Sequence, residues 1–339
     1  MIGVITNPNS KKNRRRPHRA AELRDAVGSM GIVRQTRDTS EIAGVLHEFE
    51  DRGVDVWVSD GGDGVLHWML NTGRAVLVDR GHAPGTLRPV VPANGGTIDF
   101  VAKKAGVRGS AVQILQRLAS LARRGQRPRI VELDSLWIEG DPAVPASPLG
   151  RLGFACAIAG VGQRFFSRYY EYPNPGPRTI IRVVARGVAS WLLGAWPLSA
   201  LPGVPDRFRA YARDIFRPAP ARVTIDGELV AESRFTALNA GSIDVDLGGV
   251  IRVFPLARDK GSLDFQAGAP SPMHIIRSLP DLYRGRGIHI PELTEQTAER
   301  MDVQATTDEL LDPVIDGELT FGYRELRIRR GPVVPVAVA

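Results

Sequence analysis

The sequence predicts an α/β domain built on a doubly wound, mostly parallel sheet, followed by a mainly antiparallel, β-sandwich-like domain. Three observations predict it. Strand and helix signals alternate over the first third of the chain. A glycine-rich turn, "GGDG" at 61–64, sits between an apolar strand and an amphipathic run. Short strand signals bounded by turn residues recur from about residue 129 onward.

The elements follow in order. Residues 2–6 form a short apolar strand. Helical spacing over 18–29 ends at Gly31, a candidate C-cap. Residues 32–36 read as a weak strand. Thr39 or Ser40 can cap a helix over 41–51, with Gly53 beyond it. "VDVWV", 54–58, is a strand and "VLHWML", 65–70, is helical. "LRPVVP", 87–92, is a strand; 97–105 and 110–123 are helical. "RIVELDSLWIEG", 129–140, alternates as one strand, and 141–148 is a proline-marked loop. Further strand signals lie at 151–160, 222–226, 234–239, 249–254, 262–266, 313–316 and 325–329, with a helical insertion over about 165–217. This divides the chain into an α/β domain, 1–128, and a β-rich domain, 129–330.

At 339 residues the chain is long enough for two domains. Its 43% hydrophobic and 24% charged residues fit a soluble globular protein. A net charge of +7 and a pI near 9.9 suggest an acidic partner: a nucleotide, a nucleic acid or an anionic membrane. No helix-turn-helix or aromatic-basic platform is evident, so nucleic acid is not expected. The single Cys156 excludes an internal disulfide framework. "MIGVITNPNS" lacks the layout of a signal peptide and reads directly as the first strand. "IDGEL" occurs twice, at 225–229 and 315–319. The first copy is most simply a hairpin turn, and the second can be the same kind of turn. His47, His67 and His82 show no metal spacing, and "KKNRRR", 11–16, reads first as a solvated loop, with a nucleotide or membrane contact as the lesser alternative because it directly follows "NPNS".

The chemistry concentrates in the 61–64 turn. Gly61, Gly62 and Gly64 remove side chains, so another group can approach the backbone closely. N–H groups at such a turn, with a helix opening behind it, suit a phosphate. Asp63 in that anion site makes sense if it handles a proton or a metal ion, as phosphoryl transfer to a hydroxyl requires. The alternative is an aspartate that only bonds its own turn.

Five motifs occur in order: "TNPNS", "GGDGV", "PANGGTIDFVA", "FPLARDKGSLDF" and the second "IDGE". By these the chain resembles the diacylglycerol kinase catalytic-domain family, which includes bacterial lipid kinases and the sphingosine and ceramide kinases. The resemblance covers roughly 1–330. It implies a nucleotide-binding domain like that of NAD kinases and phosphofructokinases, a β-rich lipid-binding domain, and a cleft where ATP phosphorylates a lipid hydroxyl. It implies that Asn7, Pro8 and Ser10 lie near the nucleotide. Gly61, Gly62, Gly64, Gly96 and Thr97 hold its phosphates, and Asp63 is general base or magnesium organiser. Asp316 and Glu318 return to the nucleotide site, Glu318 with a catalytic part, and Asp259 is the metal candidate. ATP and Mg2+ are the implied cofactors. The chain departs from the family at Val65, Trp68, Asp99 and Lys260, which stand where Thr, Glu, Asn and Asp are usual. Two other readings remain open: an NAD kinase-like nucleotide kinase, and a catalytically weakened lipid- or nucleotide-binding relative.

Residues 188–204 carry no charge and include Trp191 and Trp196. The stretch is shorter than the roughly 20 residues that span a bilayer, and Pro197, Pro202 and Pro205 interrupt it. Arginines flank it on both sides. It suits a membrane interface or lipid-entry flap, or equally a helical cover on the β-domain. The expected location is cytoplasmic with peripheral membrane association.

Overall fold

The computed structural model describes residues 1–10, 12–96, 98–143, 149–194, 206–284, 286 and 290–339. Thr97, Lys11, most of the 141–148 loop, and Trp196 with Pro197, Pro202 and Pro205 lie outside the described residues. The chain divides into two compact units, Met1–Ser135 with Gly331–Ala339, and Leu136–Arg330.

The first unit opens with β1 (Ile2–Thr6), α1 (Arg19–Val27), β2 (Gly31–Gln35), α2 (Glu41–Asp51) and β3 (Val56–Asp60). Then come α3 (Asp63–Asp79), β4 (Val90–Pro92), α4 (Phe100–Ala105), α5 (Ala111–Arg123) and β5 (Arg129–Leu133). The sheet order is β2-β1-β3-β4, then the C-terminal strand Val334–Val338, then β5. β1 to β4 are parallel; the C-terminal strand runs parallel to β4 and antiparallel to β5.

Strand order dictates the layers. From β1 the chain steps outward to β2, then back past β1 to β3 and on to β4. With right-handed crossovers, that reversal puts α1 on one face and α2 and α3 on the other. The contacts agree: α1 packs on α5, and α2 on α3. β1 is buried along its whole length, as a central parallel strand covered on both faces must be. α2 buries Ile42, Leu46 and Phe49, one helical stripe, against the sheet. Each such large side chain contributes roughly 1.5–3 kcal/mol on burial. α5 starts on a capping box, Ser110 with Gln113.

Several boundaries differ from those expected. α1 ends at Val27, where Gly28 takes φ +54°; Gly31 is extended and begins β2. α3 starts two residues before the apolar run, because Gly62 caps it and Asp63 opens its first turn. α4 starts only at Phe100, since Asp99 is left-handed at φ 52°.

The second unit is a sandwich of two antiparallel sheets. One contains strands Leu136–Pro142, Leu149–Gly153, Ala219–Ile225, Arg300–Ala305 and Tyr323–Arg330. The other contains Ala155–Gly160, Ala237–Gly241, Asp264–Gly268, Leu293–Thr297 and the short pair Val314–Ile315 and Glu318–Leu319. Phe235, Phe265, Met301, Leu326 and Ile328 are among the buried residues between them. Two runs expected as single strands are each split. Residues 129–140 break at Asp134–Ser135, where the chain leaves the first unit. Residues 151–160 break at Phe154, where it changes sheet. Burial is continuous through both corners, over 133–138 and 152–154, so it does not mark the breaks. Cys156 is fully buried in the sandwich, and burial pushes its thiol up, away from any nucleophilic role.

Helices α6 (Val161–Tyr170), α7 (Pro177–Gly194) and α8 (Asp206–Ile215) form a separate small core from Phe165, Tyr169, Ile180, Val183, Tyr211 and Ile215. Arg186 sits 4.2 Å over the Tyr211 ring. The described part of the charge-free stretch, 188–194, is the end of α7, with Trp191 half-buried and Leu192 exposed. Among the described residues no helix is long and apolar enough to cross a membrane. A ninth described helix, α9 (Pro272–Arg284), follows strand Asp264–Gly268.

Candidate functional site

The order β2-β1-β3-β4 reverses direction between β1 and β3. In open α/β sheets the crevice beyond the carboxyl ends at such a switch point is where ligands bind. Three loops of the first unit leave the sheet on that side: 7–13 after β1, 61–62 after β3, and 93–99 after β4.

The second and third loops meet backbone to backbone. A Cβ on Gly95 would lie 2.6 Å from the carbonyl oxygen of Gly61 and 2.7 Å from its nitrogen. A Cβ on Gly96 would lie 2.5 Å from Cα of Gly62. Glycine is required at 95 by this approach, not by its φ. Gly95→Ala is therefore expected to cost roughly 1–3 kcal/mol by overpacking and to lower the melting temperature by several degrees. An unchanged melting temperature would mean that the loops do not touch. Val65, which replaces the usual threonine, fills space against Gly61: a Cβ there would lie 2.4 Å from its Cγ2.

Asp63 is half-buried at the first position of α3. Gly64 follows it, and the amides of Val65 and Leu66 turn back to the carbonyl of Gly62 at 3.0 and 3.3 Å. A carboxylate at a helix N-terminus is favoured by the helix dipole, by about 0.3–1 kcal/mol. Its placement therefore serves the fold even without chemistry.

The first loop is a compact turn. Asn7 Oδ1 accepts from the Asn9 amide at 2.8 Å, with Pro8 between them, and Asn7 O accepts from the Ser10 amide at 3.2 Å. Ser10 Oγ is buried with no hydrogen-bond partner among the described residues. Buried hydroxyls are rarely left so, which makes it a candidate ligand contact. Lys12 Nζ reaches across to the third loop, donating to Asn94 O at 2.7 Å and to Asp99 Oδ2 at 3.2 Å. Asp99 Oδ1 accepts from the Gly96 amide at 2.8 Å. This accounts for Asp at 99: an asparagine amide in place of Oδ2 could not accept from Lys12.

Sequence reasoning missed the residues beneath these loops. Asp60, at the end of β3, is fully buried. Its carboxylate accepts from Arg19 Nη2 at 2.6 Å, Arg19 Nε at 3.1 Å, Thr6 Oγ1 at 2.7 Å and Asn13 Nδ2 at 3.0 Å. Burial opposes the Arg19 charge, but its bonds to Asp60 and Glu22 outweigh that and raise the guanidinium above its ordinary value. The signal was present in "VWVSD": a carboxylate ending a buried strand requires a partner.

The remaining expected site residues lie in the second unit. Asp316 and Gly317 have φ 52° and 89° and turn the hairpin between Val314–Ile315 and Glu318–Leu319. Asp316 Oδ1 accepts from the amides of Phe154 and Ala155 at 2.8 and 3.0 Å. The first "IDGEL" does the same: Asp226 and Gly227 have φ 49° and 87°, and Asp226 Oδ1 accepts from the amides of Glu299 and Arg300 at 3.0 and 2.8 Å. Both copies are the same hairpin turn, each clasping the start of a neighbouring strand. Glu318 is half-buried. Asp259 is exposed after the 3-10 turn Pro255–Arg258. Among the described residues no group of three or more His, Cys, Asp or Glu could hold a metal ion.

An open α/β sheet with glycine-lined loops at its switch point, and an antiparallel sandwich, together define the fold class. Residues 209–338 match the family model of the YegS C-terminal NAD kinase beta sandwich-like domain. A crystal structure described as a "putative diacylglycerol kinase" from Bacillus anthracis str. Sterne is similar over 100% of this chain and 96% of its own, at 14% identity and TM-score 0.64. A diacylglycerol kinase structure from the same organism has the same identity and coverage, with TM-score 0.57. Yeast NADH kinase complexed with NADH covers 100% of this chain and 83% of its own, at 9% identity and TM-score 0.51. No curated protein sequence matches the chain. The resemblance to the diacylglycerol kinase-type family is thus supported by a domain match over 209–338 and by fold over the whole chain.

Proposed function

We propose that the protein is an ATP-dependent lipid kinase that phosphorylates the hydroxyl of a diacylglycerol-like or long-chain-base-like lipid. The observation that carries this reading is Asp63 at the start of α3, beside paired glycine loops at the switch point of the sheet. Backbone amides of Gly62 and Gly64, with the hydroxyl of Thr97, would receive the phosphates, and Gly96, whose own amide is held by Asp99, would let them approach the backbone closely. Asn7, Pro8 and the unpartnered Ser10 hydroxyl would border the nucleotide.

The chemistry follows from that placement. Asp63 takes the acceptor proton as the lipid oxygen bonds to the γ-phosphorus. The bond from that phosphorus to the leaving oxygen breaks, and ADP departs. Positioning and electrostatics carry most of such a step. Magnesium would enter with the substrate as its ATP complex, since that ion is commonly held by phosphates, water and one or two carboxylates; Asp259 is one carboxylate it could use. Glu318 is the second acidic candidate. Asp316 has its own structural bonds and would act by holding residues 154–155 in place.

A peripheral membrane contact fits the same reading. Residues 172–217 hold seven arginines against Asp206 and Asp214, and α7 exposes Ile181 and Leu192. Arginines near an anionic leaflet contribute about 1 kcal/mol each, so docking on the cytoplasmic face would weaken with salt.

One experiment tests the reading: purified protein with labelled ATP, magnesium, anionic vesicles carrying a panel of lipid alcohols, and NAD. The expected product is labelled lipid that partitions into organic solvent, with protein co-sedimenting with the vesicles at low salt. Label only in NADP would instead favour the nucleotide-kinase reading, and label only in inorganic phosphate would remove the lipid acceptor.

A further inference from the structure

We infer that Arg19 and Asp60 form a buried positioning pair that holds the first loop, 7–13, in the shape the nucleotide site needs. The inference rests on reading that loop as part of the nucleotide site, and it assigns a function to residues that no motif singled out.

The geometry is specific. The pair is bidentate, Arg19 Nη2 to Asp60 Oδ1 at 2.6 Å and Nε to Oδ2 at 3.1 Å. The Arg19 side chain is 9% exposed and that of Asp60 0%. Such a pair is often no more stabilising than apolar side chains of similar volume, so stability alone is a weak reason for it. What apolar side chains could not do is fix the loop. Asp60 Oδ2 also accepts from Thr6 Oγ1, at the end of β1, and from Asn13 Nδ2, at the far end of the loop. The same Asn13 amide donates to Asn7 O at 3.0 Å and to Asp60 O at 3.1 Å. Asn7 N donates in turn to Asp60 O at 3.3 Å. Both ends of the loop are therefore tied to one residue, and that residue immediately precedes Gly61. The carboxylate cannot accept all these bonds in a dry interior without a cation, and Arg19 is that cation. The network sets the loop and the glycine turn in one register.

The test separates stability from positioning. The double variant Arg19→Met with Asp60→Leu replaces the pair by apolar side chains, removing the anchor without stranding a buried charge. Three measurements are made: thermal melting, amide hydrogen exchange, and equilibrium ATP binding by calorimetry, which needs no turnover. Melting should stay cooperative and near wild type. Exchange at Asn7, Asn9, Ser10, Asn13 and Arg14 should quicken by about tenfold or more, while core amides such as Leu23 and Leu46 keep their protection. ATP affinity should fall by about tenfold or more, since small misplacements in a preorganised site are costly. If the double variant does not fold, Asp60→Asn serves instead: one acceptor becomes a donor facing donors, and exchange in the loop should still quicken. Unchanged exchange in the loop, or unchanged ATP affinity, overturns the inference. A wild-type protein that binds no ATP overturns the kinase reading instead, and the exchange data then decide alone whether the pair anchors the loop.

Discussion

Asp63→Asn is expected to lower turnover by about 10²–10⁴, the usual loss when a general base is removed. Asparagine keeps the size and hydrogen-bonding shape of the side chain at the start of α3 but cannot take the acceptor proton. Nucleotide affinity should change far less, because the phosphate-facing groups proposed here are backbone amides and the Thr97 hydroxyl, not the Asp63 side chain. The fold should survive: the charge at that helix end is worth about 0.3–1 kcal/mol. Turnover, calorimetric ATP affinity and melting temperature measured side by side decide it. Near-wild-type turnover would reduce Asp63 to a first-turn residue that serves only the start of α3.

Asp264→Asn is expected to stabilise the second unit in a pH-dependent way. Asp264 is 0% exposed, and its Oδ1 has no hydrogen-bond partner among the described residues. Burial, with Glu295 nearby, pushes its carboxyl from 3.8 up to about 7, against the Leu256 amide, which lowers it. The folded state thus binds the proton more tightly than the unfolded chain. The stability this gives is fully present below pH about 4 and is lost as pH rises through about 7. The loss across that window is roughly 4 kcal/mol. The neutral amide keeps an acceptor for Leu256 N–H and never ionises. At pH 8 the variant should melt higher by roughly 8–16 °C, given about 2–4 °C per kcal/mol in a unit of this size. At pH 4 the two proteins should differ little. The same difference at both pH values would show that Asp264 does not titrate in this range.

The parts of the fold legible in the sequence are those where burial follows a local period. The strand at 2–6 and the helix at 41–51 are where the pattern put them. The glycine turn and its aspartate were also legible, because only glycine allows such close backbone approach. Three kinds of feature were not. Corners at Asp134–Ser135 and Phe154 are invisible because burial runs through them without a break. Pairings such as Arg19 with Asp60, or Lys12 with Asp99, join residues 41 and 87 positions apart, and nothing local announces them. The strand Val334–Val338 contains Pro335, which cannot donate to a ladder and usually argues against an interior strand.

That last strand has a consequence for how the protein is made. It fills the gap between β4 and β5, two strands complete by residue 133. A ribosome releases those neighbours long before it reaches residue 334. Until then the nascent chain carries β4 and β5 with unpaired edges, the kind of surface that recruits other strands. The sandwich, residues 136–330, is synthesised in the interval and can collapse first, bringing the two crossing points together: Gly331 N bonds to Ser135 O at 2.8 Å. The sheet of the first unit is therefore finished last although most of its residues are translated first, which exposes it to chaperones and to aggregation during synthesis.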